Sequence, residues 1–115
     1  MRSLHREHFL DYLRHYETQN LEAIAALLAE NVVLRDWKIR VQGKAAVLAE
    51  TAANFAQAQS LTIEVLTLTE SQHSVAGELR IVVNGEIELF VVDVLEFDAD
   101  GRISAIRAYL GRGDA

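Results

Sequence analysis

Three side chains in this sequence could together carry out acid–base chemistry. Asp36 stands in "VVLRDWKIR" and Asp93 in "FVVDVLEF", two strand-like segments from which Asp is usually excluded. Tyr12 lies on the apolar stripe of an N-terminal helical segment, so its hydroxyl should point toward whatever that helix packs on. If all three reach one apolar cavity, burial would raise a carboxyl pKa, and a protonated Asp could donate a hydrogen bond as Tyr does.

Asp93 lies in the middle of a predicted strand. Residues two apart share a face, which groups Asp93 with Val91, Leu95 and Phe97. An ionised carboxylate on that face would cost several kcal/mol unless it were paired or protonated. The alternative is a structural acid held by backbone groups or by Arg80 or Arg107, which would keep it ionised.

Asp36 and Tyr12 also have purely structural interpretations. Asp36 shares its strand parity with Lys38 and Arg40, a pattern that fits the solvent side of an edge strand. Tyr12 could be an ordinary core tyrosine with a bonded hydroxyl. The coincidence of all three residues is what favours a functional interpretation.

The first half of the chain reads as helical. Ser3 is a plausible N-cap for a first helix, whose apolar stripe repeats at i, i+3, i+4 and i+7 and consists of Phe9, Tyr12, Leu13 and Tyr16. Asn20 can cap a second helix that continues to about Asn31. After the strand around Asp36, Gly43 opens an alanine-rich third helix with high helix propensity.

Strands dominate from Ser60 onward. The segments "LTIEVLTL", "SVAGELRIVV", "EIELFVVDVLEF" and "RISAIRAYLG" are separated by turn signals, the strongest being Asn84-Gly85. Helices that precede an antiparallel meander predict an α+β fold with the helices packed on one sheet face. A strongly curved sheet would leave a cavity between the sheet and the helices. Without proline or a Ser/Gly-rich linker, residues 1–115 should form a single domain.

Amino-acid composition limits which binding partners and which cellular compartment are expected. The 115 residues are 50% hydrophobic and carry a formal net charge of −6. Nucleic acid and anionic membranes require clustered Lys and Arg, so neither is expected as a partner. The chain has no cysteine, its charged N-terminus is unlike a signal peptide, and no apolar run is long enough to span a membrane. We therefore expect a cytoplasmic protein.

The order of elements, "NLEAIAALLAENVVLRD", the Gly43 that opens helix three and "VVDVLEFDADGRISAIRAYLG" resemble the nuclear transport factor 2-like superfamily. The chain is most similar there to the ketosteroid isomerase-like and polyketide cyclase-like proteins, over about Phe9 to Gly111. The resemblance implies an α+β fold in which a cone-shaped, curved antiparallel sheet wraps around three N-terminal helices and leaves an apolar cavity. The resemblance implies a catalytic base at Asp36, an oxyanion-hole tyrosine at Tyr12 and a protonated acid at Asp93. It also implies proton transfer on a small apolar ketone or steroid-like ligand without a metal or organic cofactor.

The sequence departs from the isomerases around this site. Trp37 follows the predicted base where they usually carry proline, and the connection from Asp36 to Gly43 is short. No further tyrosine is evident to extend a hydrogen-bond network behind Tyr12, and the corresponding part of helix three offers Thr51. Our interpretation places Trp37, Ile106 and Leu110 in the cavity wall.

Two other functions and a homodimer are compatible with these residues. The fold could serve as a non-catalytic ligand-binding or dimerisation module, or as a cyclase-like or dehydratase-like cavity enzyme. The outer sheet face, with "LFVV" and "VLEF", is the expected surface for a homodimer. Three histidines of the first helix, His5, His8 and His15, match no metal-site spacing and suggest a solvated flank.

Overall fold

The computed structural model describes residues 4–111 and contains three helices and one six-stranded sheet. The helices are α1 (Leu4–Glu17), α2 (Leu21–Leu27) and α3 (Lys44–Ala56). The strands are β1 (Leu28–Arg35), β2 (Arg40–Gln42), β3 (Leu61–Glu70), β4 (Ser74–Val83), β5 (Ile87–Phe97) and β6 (Ile103–Leu110). Their order in the curved, unclosed sheet is β2-β1-β6-β5-β4-β3, and only β1 and β6 pair in parallel. The predicted α+β architecture is confirmed.

Helix α1 forms where the apolar stripe predicts it and packs on the concave face of the sheet. Phe9, Tyr12 and Leu13 are its buried residues. Phe9 lies directly over Gly77 of β4, where an added Cβ would be 2.8 Å from the phenyl Cζ. A larger residue at Gly77 would therefore push α1 away from the sheet. The predicted cap Ser3 lies outside the described residues.

Helix α2 is shorter than the sequence pattern indicates. Asn20 caps it as predicted, since its side-chain oxygen accepts a hydrogen bond from Ala23 N at 3.1 Å. The chain becomes extended at Leu28, four residues before Val32, and both side chains are fully buried. Leu28 pairs with Ile103 in β6. Sheet pairing and burial thus override the local helix propensity of "LAEN".

Tight turns join the strands that carry the cavity. Three residues connect β4 to β5, and Asn84 and Gly85, the central residues of the turn closed by Glu86 N donating to Val83 O, have the positive φ values of 56° and 69° that such a turn requires. In the turn between β5 and β6, the side chain of Asp98 accepts hydrogen bonds from Asp100 N at 2.9 Å and Arg102 N at 3.0 Å. These turns fix the register in which β5 faces the helices.

The core fills the space between the helices and the concave face. Its largest fully buried side chains come from both layers and are Phe9, Ile24, Leu28, Leu79, Leu95 and Ile103. This packing holds the helices against the concave face of the sheet. In the described part of the chain, no helix has the length and apolar character needed to cross a membrane.

Candidate active site

A cavity of about 460 Å³ opens between α1, α3 and the concave sheet face. We call its buried part the inner end, lined by Tyr12, Leu13, Thr51, Val91, Asp93 and Ile106. We call its exposed part the mouth, lined by Trp37, Lys38, Asn54, Gln57, Asn84 and Ile87. Asp36 lines the same cavity and is partly buried. The structure therefore brings the three predicted acid–base residues together.

The sequence pattern placed Asp36 within a strand, but in the structure Asp36 lies just after one. Strand β1 ends at Arg35, and Asp36 opens a four-residue turn that leads into the short strand β2. Its Oδ1 accepts hydrogen bonds from Lys38 N at 2.7 Å and Ile39 N at 2.8 Å. Its Oδ2 accepts none from the described residues. The turn therefore explains why an Asp follows β1, and one carboxylate oxygen remains available for chemistry.

Asp93 lies on the concave face in the middle of β5 and is 9% exposed. Neither of the arginines considered as partners reaches it. Arg80 pairs with Glu88 at 2.5 Å, and Arg107 pairs with Glu96, both on the opposite face of the sheet. Within residues 4–111 no group hydrogen-bonds to the Asp93 carboxyl, and burial raises its pKa from 3.8 to about 7.

Tyr12 presents the second unpaired polar group at the inner end. Its side chain is 5% exposed, and its hydroxyl has no hydrogen-bond partner in the part of the chain that the structure describes. Burial raises the Tyr12 pKa well above its ordinary value, and nearby Tyr16 and Asp93 raise it further. No described polar side-chain atom is both fully enclosed and unpaired, so the Tyr12 and Asp93 oxygens face the open cavity.

Tyr16 also lines the cavity, although no hydrogen bond joins it to Tyr12 among the described residues. Its ring centroid is 5.9 Å from that of Tyr12, and its hydroxyl accepts a hydrogen bond from Asn54 Nδ2 at 3.2 Å. Burial raises the Tyr16 pKa, opposed by the Asn54 hydrogen bond and reinforced by Asp93 and Asp36. The signal in the sequence was its place on the α1 stripe, four residues after Tyr12.

Thr51 does not extend a hydrogen-bond chain by donating across the cavity. It lines the inner end, but its hydroxyl donates to Val47 O of its own helix at 2.8 Å. This bond uses the only proton that the hydroxyl can donate. The Thr51 oxygen can still accept.

Two of the three predicted wall residues line the cavity. Ile106 lies at the inner end, and Trp37 lies at the mouth with 44% of its surface exposed. Leu110 does not line the cavity. It is the last residue of β6, opposite Val91 on the concave side, and lies beyond the enclosed region with 47% of its surface exposed.

The histidine flank of α1 is packed and not simply solvated. His5 stacks on Phe97 with 4.5 Å between ring centroids. A ring nitrogen of His8 lies 3.1 Å from Gly101 O, which ties α1 to the turn between β5 and β6. Within residues 4–111 no group of three or more His, Asp or Glu side chains is arranged to hold a metal ion.

The two carboxyls have unlike environments and suit unlike roles. Asp36 accepts backbone hydrogen bonds in a turn at the cavity wall, whereas Asp93 is buried among apolar residues. A neutral carboxylic acid and a phenol can both donate hydrogen bonds to an oxygen that gains negative charge. A second, hydrogen-bonded carboxylate can accept a proton. The cavity thus contains one acceptor and two donors for a reaction at a carbonyl or ether oxygen.

The family of the chain follows from comparison with known proteins. A profile of the SnoaL-like domain family matches residues 9–106, and the chain belongs to this family. The predicted membership of the nuclear transport factor 2-like superfamily is confirmed. Among curated proteins, no sequence matches significantly.

Solved structures with this fold have several kinds of function. A candidate ketosteroid isomerase from Kribbella flavida DSM 17836 is 22% identical with a TM-score of 0.80, covering 97% of this chain and 81% of that one. SalBIII, an epoxide hydrolase/cyclase-like enzyme of pyran ring formation in salinomycin, is 24% identical with a TM-score of 0.80, covering 93% and 90%. A computationally designed 17-OHP binder is 21% identical with a TM-score of 0.84, covering 96% and 95%. At these identities the likeness establishes the fold alone.

Proposed function

We propose that this protein catalyses proton transfer next to the carbonyl of a small apolar ketone or a steroid- or polyketide-like compound. One observation carries the proposal. The Tyr12 hydroxyl and the Asp93 carboxyl are unpaired within the described residues, yet both face a cavity that Asp36 also lines. Unpaired polar groups in an apolar site cost free energy, which a bound ligand oxygen would offset.

The proposed reaction moves one proton and one double bond. Asp36 removes a proton from the carbon next to the ketone, and the electron pair moves onto the carbonyl oxygen to form an enolate. Tyr12 and neutral Asp93 donate hydrogen bonds to that oxygen, where each well-placed donor stabilises the transition state by about 3 kcal/mol. Asp36 then returns the proton to a carbon further along the ligand, which brings the carbon–carbon double bond into conjugation with the carbonyl. Atoms balance without a cofactor.

Electrostatics at the inner end supports the donor role. A carboxyl with a pKa of about 7 is neutral through the mildly acidic range and can donate its proton in a hydrogen bond. Apolar neighbours exclude water, so the donors act in a low dielectric where their effect on developing charge is larger.

The test is turnover of 5-androstene-3,17-dione, followed by the ultraviolet absorbance of the conjugated enone. Asp36→Asn is the decisive variant, because the amide oxygen can still accept the two backbone hydrogen bonds of the turn. Asp98→Asn is its matched control, since Asp98 makes the same kind of turn outside the cavity. Turnover lost in the first variant and kept in the second would support the proposal. Equal activity in wild type and Asp36→Asn would overturn the assignment of the base.

A second candidate reaction is the opening of an epoxide. It is favoured by the presence of a neutral carboxyl and a hydrogen-bonded carboxyl in one cavity, together with the similarity to SalBIII. Asp93 would protonate the epoxide oxygen while Asp36 removes a proton from an attacking water or hydroxyl group. Diol formation from cyclohexene oxide without isomerisation of the steroid would favour this reaction. Ligand-induced thermal stabilisation without turnover of either compound would favour a binding module.

We also propose that the outer sheet face forms a homodimer. Val92 pairs across the strands with Glu78 and Tyr109, on the face opposite Asp93, where Phe90 and Val94 add apolar surface. Light scattering after gel filtration should give a dimer for wild type and a monomer for Val92→Glu. Ile87→Glu, which adds the same charge at the cavity mouth, should remain dimeric.

A further inference from the structure

Lys38 is the one cation among the described residues that line the cavity. Its ammonium group has no carboxylate partner in the part of the chain that the structure describes. Four other described cations are engaged in pairs, namely Arg14 with Asp11, Lys44 with Glu30, Arg80 with Glu64 and Glu88, and Arg107 with Glu96. Of the described cations without an ion pair, which are Arg35, Lys38, Arg40 and Arg102, Lys38 alone lines the cavity.

The backbone of Lys38 is held in a fixed position relative to the proposed base. Its N–H donates to Asp36 Oδ1 at 2.7 Å, and the turn is closed by Asp36 N donating to Ile39 O at 3.0 Å. Lys38 is exposed at the mouth, while Asp36 is partly buried. The side chain of Lys38 can move, but its anchor cannot move independently of Asp36.

The cavity therefore has different electrostatic character at its two ends. The apolar surroundings of Asp93 would disfavour an anionic group at the inner end and Asp36 would repel it from the cavity wall, whereas Lys38 would attract it at the mouth. The mouth also supplies amide donors. Asn84 Oδ1 already accepts from Gln59 N at 2.7 Å and Ser60 N at 3.1 Å, which leaves the Asn84 NH₂ group free of partners among the described residues.

We infer that the natural ligand is an apolar carbonyl compound with a carboxylate at the end opposite its reacting carbonyl, and that Lys38 binds this carboxylate. The inference rests on the proposed function, which places the carbonyl at the inner end. Charge then sets the orientation of the ligand. The carboxylate stays at the mouth, and the reacting carbon lies next to Asp36.

The test compares three ligands that share one rigid frame. These are 3-oxo-4-androstene-17β-carboxylic acid, its methyl ester and its carboxamide, which place a charged, an apolar or a neutral polar group opposite the same ketone. Binding is followed by the fluorescence of Trp37, the single tryptophan of the chain, which lines the mouth. The acid should bind most tightly, and its affinity alone should fall as salt rises, because salt screens an exposed charge pair.

Variants of Lys38 separate charge from packing. Lys38→Gln should weaken binding of the acid by about three- to fivefold, as expected for one partly exposed ion pair, and leave the ester and the amide unchanged. Lys38→Arg should restore the affinity for the acid. Lys44→Gln is the matched control, since Lys44 pairs with Glu30 and does not line the cavity. It should change none of the three affinities.

The outcomes also distinguish this inference from the proposed function. Because binding is measured without turnover, a Lys38-dependent preference for the acid would stand even if Asp36→Asn and wild type were equally inactive on 5-androstene-3,17-dione. Conversely, turnover that depends on Asp36, combined with equal affinity for acid, ester and amide, would overturn the inference and keep the proposed function. Failure of all three ligands to bind would also overturn it.

Discussion

The cavity has one aspartate at its inner end and another in the turn between β1 and β2, and the surroundings of the two carboxyl groups differ. Asp93 is surrounded by apolar side chains, has no hydrogen bond from residues 4–111, and has a pKa raised to about 7 by burial. Asp36 is fixed in a turn by two backbone N–H groups and is partly buried. Under the proposed function, the same residue type is a hydrogen-bond donor in one place and a proton acceptor in the other.

In the proposed mechanism, the environment of each aspartate, more than its residue type, assigns the acid and the base. Desolvation penalises the charged form of Asp93, and no partner offsets this cost. The backbone of the turn between β1 and β2 supplies Asp36 with donors before any ligand arrives. Substitution of Asp36 and substitution of Asp93 should therefore lower kcat by different amounts.

The largest effect is expected from Asp36→Asn. Loss of a general base should lower kcat by about 10²–10⁴-fold. Because the amide oxygen preserves the turn, the melting temperature should stay close to that of wild type. Steady-state kinetics on the steroid and a thermal melt, with Asp98→Asn alongside, check both parts. A variant that melts much lower would instead show that Asp36 is chiefly structural.

Tyr12→Phe should have the next largest effect. It removes one donor to the developing oxyanion and should lower kcat by about 10²–10³-fold with a small change in KM. Tyr109→Phe, at an exposed position on the outer face, is the control and should have no effect. If KM rises while kcat is unchanged, Tyr12 contributes to ground-state binding and not to the transition state.

Substitution of Asp93 should lower activity less and should change its dependence on pH. If neutral Asp93 is the donor, wild-type activity should fall as pH rises through about 7. Asp93→Asn retains a donor that does not titrate, so its activity should stay within about tenfold of wild type and lose this alkaline limb. Asp93→Ala should lose about 10²-fold at all pH values. The same alkaline limb in Asp93→Asn would assign it to another group.

The raised pKa of Asp93 also predicts a change in stability. Between the ordinary carboxyl pKa of 3.8 and about 7, the folded protein retains a proton that the unfolded chain has lost, so its stability falls as pH rises. Relative to wild type, Asp93→Asn should gain about 2–3 kcal/mol between pH 5 and pH 8. Urea unfolding at the two pH values measures this difference. A constant difference would mean that Asp93 titrates in its ordinary range.

The smallest effect is expected from Tyr16→Phe. Tyr16 accepts a hydrogen bond from Asn54 at the cavity wall, and its loss should lower kcat by roughly two- to tenfold. Asn54→Ala removes the same bond from the other side. The double variant should therefore lose no more than either single variant, whereas additive losses would show that the two residues act separately.

Local patterns predicted most of the fold. The α1 stripe, the Asn20 cap, the Gly43 helix start and the Asn84-Gly85 hairpin all depend on residues close in sequence, and each is found in the structure. The end of α2 was predicted too late, because pairing of Leu28 with Ile103 joins residues far apart in the chain.

The sequence placed Tyr12, Asp36 and Asp93 at one cavity, and the structure adds how each of them is held. The alternation of β5 placed Asp93 on an apolar face, and this could be read directly from its neighbours. The turn at Asp36 could not be read from the sequence, because β2, the strand that follows the turn and pairs with β1, is only three residues long. Tyr16 was missed because a stripe residue at the end of a helix looks like core until its partner on α3 is known.

The most direct test of the account is the titration of Asp93 itself. Carboxyl carbon shifts of ¹³C-labelled Asp, recorded from pH 4 to pH 9 in wild type and Asp93→Asn, would report it without any substrate. The account predicts one Asp carboxyl that titrates near pH 7 in wild type and is absent from the variant. If every Asp carboxyl of the wild type titrated below pH 5, Asp93 would be ionised at neutral pH, and the assignment of a neutral donor beside Tyr12 would be contradicted.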